Sequence, residues 1–152
     1  MTTTARLTAA LLALAVGIVP AAALAVTAAR VAGAPAWIEL PFRLVCHGID
    51  ARSLAIAGIP MPICARCFAL YLGGLVGIAA FFALRIRRRL PLGALLLALA
   101  PMALDGLSQA TGLRESSNAL RVLTGSLAGG GAMVWLLSRI SGAAGETAAD
   151  SN

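Results

Sequence analysis

All three cysteines of this chain and its single histidine fall in two short strings, Cys46-His47 and Cys64-Ala65-Arg66-Cys67. Thiolate and imidazole are the donors that zinc and copper take, and two cysteines separated by two residues also make a redox dithiol. Three kinds of chemistry follow. In the first, Cys46, His47, Cys64 and Cys67 surround zinc or another transition metal as a Cys₃His tetrahedron. Neighbouring side chains diverge, so Cys46 and His47 share one ion only awkwardly. With His47 turned away, a coordination position opens, as a catalytic metal requires. In the second, Cys64 and Cys67 are a thiol–disulfide oxidoreductase pair that passes electrons to a quinone, with Cys46 as the exchanging thiol. In the third, one structural disulfide leaves a third cysteine idle. The number of soft donors favours the metal.

The elements that must position these residues are apolar. The 152-residue chain is 60% hydrophobic and 12% charged, and its mean hydropathy is +0.91. So few polar groups do not cover a soluble globule of this size, which makes the lipid bilayer the chain's solvent. Leu7 to Ala29 is uncharged, long enough to cross the membrane, and bracketed by Arg6 and Arg30. Further apolar runs extend over about Phe68–Leu84, Leu90–Leu107 with Asp105 inside it, and Leu120–Leu137 with Arg121 at its edge. The expected fold is all-α, an integral membrane bundle of four transmembrane helices with a Cys/His loop. It divides into a first helix or signal-like segment over 1–30, one membrane domain over 31–137, and a disordered tail over 138–152. The apolar length of the first segment exceeds that of an ordinary signal peptide, which favours a retained helix.

Net charge is +6, carried by arginine with no lysine. The arginines flank apolar runs, so they read as topology determinants and exclude nucleic acid as a partner. Arg85-Ile86-Arg87-Arg88-Arg89 is the densest positive stretch and is too short to translocate easily. The positive-inside rule places it in the cytoplasm, together with the N- and C-termini of a multi-pass cell-membrane protein, and the Cys/His loop outside. Arg43 and Arg52 in that loop run against the rule but are diluted by Glu39 and Asp50.

Within the loop, Phe42, Val45 and Ile49 fall on one helical face and Arg43, His47 and Asp50 on the other. A short helix lying on the membrane surface after Trp37 is expected. Gly58-Ile59-Pro60-Met61-Pro62 then forces an extended turn, after which Cys64 and Cys67 open the second span. There the positive end of the helix dipole favours their thiolates. Gly73 and Gly77 on the second span, and Gly125 and Gly129 on the fourth, form small-xxx-small faces that predict tight packing of these two helices.

Cys46-His47, Arg52-Ser53, Pro62-Ile63-Cys64-Ala65-Arg66-Cys67 and Tyr71-Leu72-Gly73 resemble the domain of unknown function 2085 family of small membrane proteins. A second stretch carries the same resemblance: Asp105-Gly106, Gln109, Gly112, Arg114-Glu115-Ser116, Asn118, Arg121 and Thr124-Gly125. The resemblance implies a membrane setting and no particular reaction. A four-span protein with an outward CxxC at a helix start is also similar to quinone-coupled disulfide-forming proteins, but the second cysteine pair those proteins commonly use is absent.

An acid inside an apolar span is expensive unless it is paired or functional. Asp105 and Gln109 share one face, and Asn118 and Arg121 share another on the next helix, which predicts an Asp105–Arg121 ion pair fixing helix register. Were the site catalytic, Asp105 or Glu115 would carry protons and Arg114 or Arg121 would hold an anion such as a lipid phosphate.

Overall fold

The computed structural model describes residues 3–86 and 88–149, with side chains from Leu7 to Ser141. It is built of four long helices: α1 (Thr3–Val31), α2 (Ala65–Ala83), α3 (Leu92–Ala110) and α4 (Asn118–Ala149). Each contains a stretch long and apolar enough to cross a bilayer, at Leu7–Val31, Ala65–Ala83, Leu92–Ala110 and Asn118–Ser141. Neighbours in sequence run in opposite directions, so the loop before α2 and the connector before α4 meet at one end of the bundle. The Arg85 turn lies at the other.

The glycine faces of α2 and α4 meet as their spacing predicts, and this is the most extensive helix contact. A methyl group on Gly73 would run into the main chain of Ser126, on Gly77 into that of Gly130, and on Gly129 into the carbonyl of Leu70. Backbone cannot yield as a side-chain tip can. Gly129→Ala is therefore expected to destabilise the protein by about 1–3 kcal/mol through overpacking. Gly93→Ala, at a position with nothing within 4 Å, should be neutral or stabilising by up to about 1 kcal/mol because it removes a helical glycine. Thermal melts of the two variants in detergent make the comparison. Equal melting temperatures would show that the two helices do not pack this closely.

Between α1 and α2 the chain builds a small folded cap. Ala36–Leu44 is a 3₁₀ segment rather than the α-helix expected after Trp37. Pro41 within it lacks the N–H an α-helical ladder needs. Phe42 is its buried anchor, while Trp37, Leu40 and Leu44 are exposed, a surface suited to the membrane interface. A second short 3₁₀ turn, Asp50–Arg52, leads into an antiparallel hairpin of β1 (Ser53–Ile56) and β2 (Ile59–Cys64). The pattern Gly58 to Pro62 predicts an extended turn; the structure makes it a paired strand. Ala57 and Gly58 both take positive φ, 51° and 80°, as a two-residue hairpin turn demands. Pro60 and Pro62 are tolerated because the two-stranded sheet consists only of edges.

Two apolar clusters tie the helices together. One, at the cap end, joins Ala23 of α1, Phe42, Cys46, Met61 and Ile63. The other, at the far end, joins Ala9, Ile78, Phe81 and Leu137. α4 runs on to Ala149, past Ser138 where a disordered tail is expected. Its alanine-rich composition there favours helix. Residues 150–152 lie outside the described residues.

Candidate functional site

The cap exists in a form that delivers three sulfurs to one point. β2 ends at Cys64, which is also the N-cap of α2, and the Cys64 sulfur accepts the backbone N–H of Cys67 in the first turn at 3.4 Å. Cys46 is carried in from the loop after the first 3₁₀ segment, anchored by Phe42, and is 8% exposed. Its sulfur accepts the Cys64 backbone N–H at 3.2 Å. The three Sγ atoms all lie within 4.8 Å of one another, and all three cysteines are free. His47, next to Cys46 but exposed, is not a member of that cluster. It lines the adjoining cavity instead. Adjacent side chains diverge, as expected, and the three thiols come together without the imidazole.

One of the three thiols, Cys64, is poised to ionise. Cys64 has its pKa pushed down to about 5, chiefly because the Cys67 thiol donates a hydrogen bond to its sulfur; burial opposes the shift, and the Cys67 and Arg66 backbone N–H groups and the Cys46 thiol support it. Hydrogen bonds to a thiolate favour the charged form. The sulfur trio therefore presents a nucleophile and soft-metal ligand at neutral pH.

Behind the sulfurs sits a polar clasp whose wiring corrects the sequence expectation. Asp105 is buried, 4% exposed, but Arg121 is not its partner. One Asp105 oxygen accepts from Arg66, in the turn between Cys64 and Cys67, and from Ser116 at 3.1 Å. The other accepts from Arg114 at 2.9 Å. Arg121 instead donates to Asn118 at 2.7 Å and to Gln109 at 3.4 Å. Asn118 in turn donates to the Ser53 carbonyl at 3.1 Å, fastening the hairpin to the start of α4. Glu115 is exposed and has no ion pair or side-chain hydrogen bond among the described residues.

The residues that sequence reasoning passed over are Arg66 and Arg52. Arg66 carries a signal that could have found it. A charge in the first turn of a membrane span needs a counter-charge, and Asp105 is the acid within a span at the same end. Arg52 carries no such signal, since nothing local distinguishes it from a solvated loop arginine. Together the two strings and the clasp form a cavity of about 340 Å³ whose lining includes Cys46, Cys64 and Cys67 together with Arg52, Arg66 and Arg121.

The family described as predicted membrane protein (DUF2085) matches residues 46–135, a stretch that begins at Cys46 and takes in the clasp and the glycine faces. The chain belongs to this family. Among its relatives, an uncharacterized protein of Methanocaldococcus jannaschii is 43% identical over 91 residues, covering 58% of this chain and 58% of that protein. An uncharacterized protein of Methanothermobacter thermautotrophicus is 38% identical over 95 residues, covering 61% of this chain and 85% of that protein. The chain thus spans less than two thirds of the first relative's length. No solved structure matches the chain. The family is one of predicted membrane proteins, the four apolar helices fit a multi-pass arrangement, and the three-thiol cluster lies within the matched residues.

Proposed function

We propose that this membrane protein holds a transition-metal ion, zinc foremost, on Cys46, Cys64 and Cys67 at the outer surface of the membrane. The observation that carries the reading is the convergence of three free sulfurs within 4.8 Å, two of them accepting backbone N–H groups. Such bonds stabilise thiolates and are typical supports around metal ligands. A bound ion would need a further donor, which His47 or a small molecule in the adjoining cavity could supply. Asp105, with three donors on its oxygens, serves the clasp better than it would serve proton transfer.

The test is elemental analysis of the purified full chain beside thiol counting. About one metal per chain, with all three thiols protected until a chelator is added, is the expected result. One observation favours a second reading. The acidic Cys64 thiol beside Cys67 is also the arrangement of a thiol–disulfide exchange pair. A metal-free protein with a Cys64–Cys67 disulfide whose oxidation follows added quinone would replace the metal reading with that one.

The outward placement rests on Arg85, Arg88 and Arg89 at the opposite end of the bundle from the thiols. A cysteine introduced at Arg88 should escape an impermeant thiol reagent in intact cells, while one introduced at Gly58 should react. The reverse pattern would turn the protein over.

A further inference from the structure

The cavity beside the thiols is ringed by more positive charge than the carboxylates of the described residues neutralise. Of the three arginines lining it, Arg66 is paired with Asp105, an acid that Arg114 shares. Among the described residues, no carboxylate pairs with Arg52 or Arg121. Arg121 is only 7% exposed, and its partners are two neutral amide oxygens. Its Nε, with Gln109 Nε2 and Arg66 Nε, is buried with no hydrogen-bond partner. A guanidinium so deeply buried beside a second uncompensated one is costly unless an anion completes the set. A clasp that only fixed helix register would be served by placing an acid against Arg121, and among the described residues none pairs with it.

We propose that this cavity is an oxyanion site that takes a phosphoryl group between Arg52 and Arg121, next to the three sulfurs. Guanidinium forks match phosphate oxygens in a way that point charges do not. The volume, about 340 Å³, falls at the lower end of the roughly 300–1,000 Å³ usual for small-molecule sites. It leaves room for a phosphate ester beyond the bare anion. Two sources share this chemistry. Lying at the end of the bundle where α2, α3 and α4 meet the membrane surface, the cavity is open to a soluble phosphate and to a lipid headgroup. The proposal stands on the arginines and not on the sulfurs, so it survives or fails independently of the metal.

The experiment is thermal melting of the full chain in detergent, titrated with inorganic phosphate against chloride at equal ionic strength. In parallel, the chain is reconstituted in nanodiscs of phosphatidylcholine with and without phosphatidic acid. A saturable phosphate-dependent rise in melting temperature identifies a soluble ligand. A rise with phosphatidic acid and none with inorganic phosphate identifies the headgroup. In either case Arg121→Gln should weaken the apparent affinity by about 10- to 100-fold, the usual effect of losing a hydrogen bond to a charged group. Because Arg121→Gln removes a buried residue and can fail to fold, the exposed Arg52→Gln carries the test alone, with a loss of about 10-fold. Cys46→Ser should lose metal and keep the phosphate response. No response to either phosphate source, or an equal response in Arg52→Gln and the unaltered chain, overturns the proposal.

Discussion

Cys46→Ser, Cys64→Ser and Cys67→Ser should each weaken metal binding by at least about 100-fold, the upper end of what losing merely a supporting group around a metal costs. A hydroxyl does not replace a thiolate as a soft ligand, and three sulfurs within 4.8 Å leave no spare donor to take over. His47→Ala is expected to behave differently, because the imidazole stands outside the cluster and the fourth position can be filled from the cavity. It should retain metal within about 10-fold of the unaltered chain, the lower end of that supporting-group range. Competition with a chromophoric chelator measures all four variants. Retention of metal by any one of the cysteine variants would remove that sulfur from the site, and retention by all three would end the metal reading.

The sign of the Cys64 shift gives the same experiment a pH arm. A thiol whose pKa is lowered to about 5 from its ordinary value of 9.0 stays ionised at neutral pH and loses its charge only as pH falls through that lower value. In chelator-treated protein, alkylation of Cys64 should accordingly keep its full rate down to about pH 6 and fall by half near pH 5.

Asp105→Asn is the second large effect, expected to cost about 3–5 kcal/mol, because it removes the buried carboxylate of the pair and strands half-buried Arg66 without a counter-charge. Arg114 contributes less to that figure. Its side chain is 51% exposed, and solvent screens what it loses. A double-mutant cycle with Arg66→Gln should show a coupling of about 1–3 kcal/mol, and one with Arg121→Gln a smaller one. Urea or thermal unfolding in detergent reads both. A larger coupling to Arg121 than to Arg66 would mean that the clasp is wired as the sequence alone implies and not as the structure has it.

Several features were legible without the fold, and they share a physical origin. Membrane insertion depends on hydropathy summed over a window, so the four spans stand out even though their observed ends differ by a few residues, as in Ala65–Ala83 against an expected Phe68–Leu84. The glycine faces of α2 and α4 were legible because a helix surface repeats along its own sequence. Cys64 and Cys67 opening α2 followed from local rules as well, since the prolines before them end extended chain and allow a helix to start.

The hairpin was hidden because Pro60 and Pro62 mask a strand's pattern, and pairing with Ser53–Ile56 is not written in β2 itself. Pro41 likewise turned an amphipathic pattern that reads as α-helix into a 3₁₀ segment. The wiring of the clasp was hidden for a deeper reason. Asp105, Arg66, Arg114 and Arg121 all belong to the same end of the bundle, and composition leaves their pairing degenerate. Which guanidinium reaches the carboxylate depends on the rotation and depth of α2, α3 and α4; the close contacts at Gly73, Gly77, Gly125 and Gly129 set α2 against α4, and that of Gly131 with Ala98 sets α3 against α4. By itself the sequence determined that this is a four-span membrane protein with all its cysteines and its one histidine in two short strings before and at the start of the second span. Only the tertiary structure decided that three sulfurs converge while His47 stands aside, and that Arg52 and Arg121 are left facing a cavity without an acid. Convergence and exclusion are properties of distances across elements, and local chemistry does not contain them.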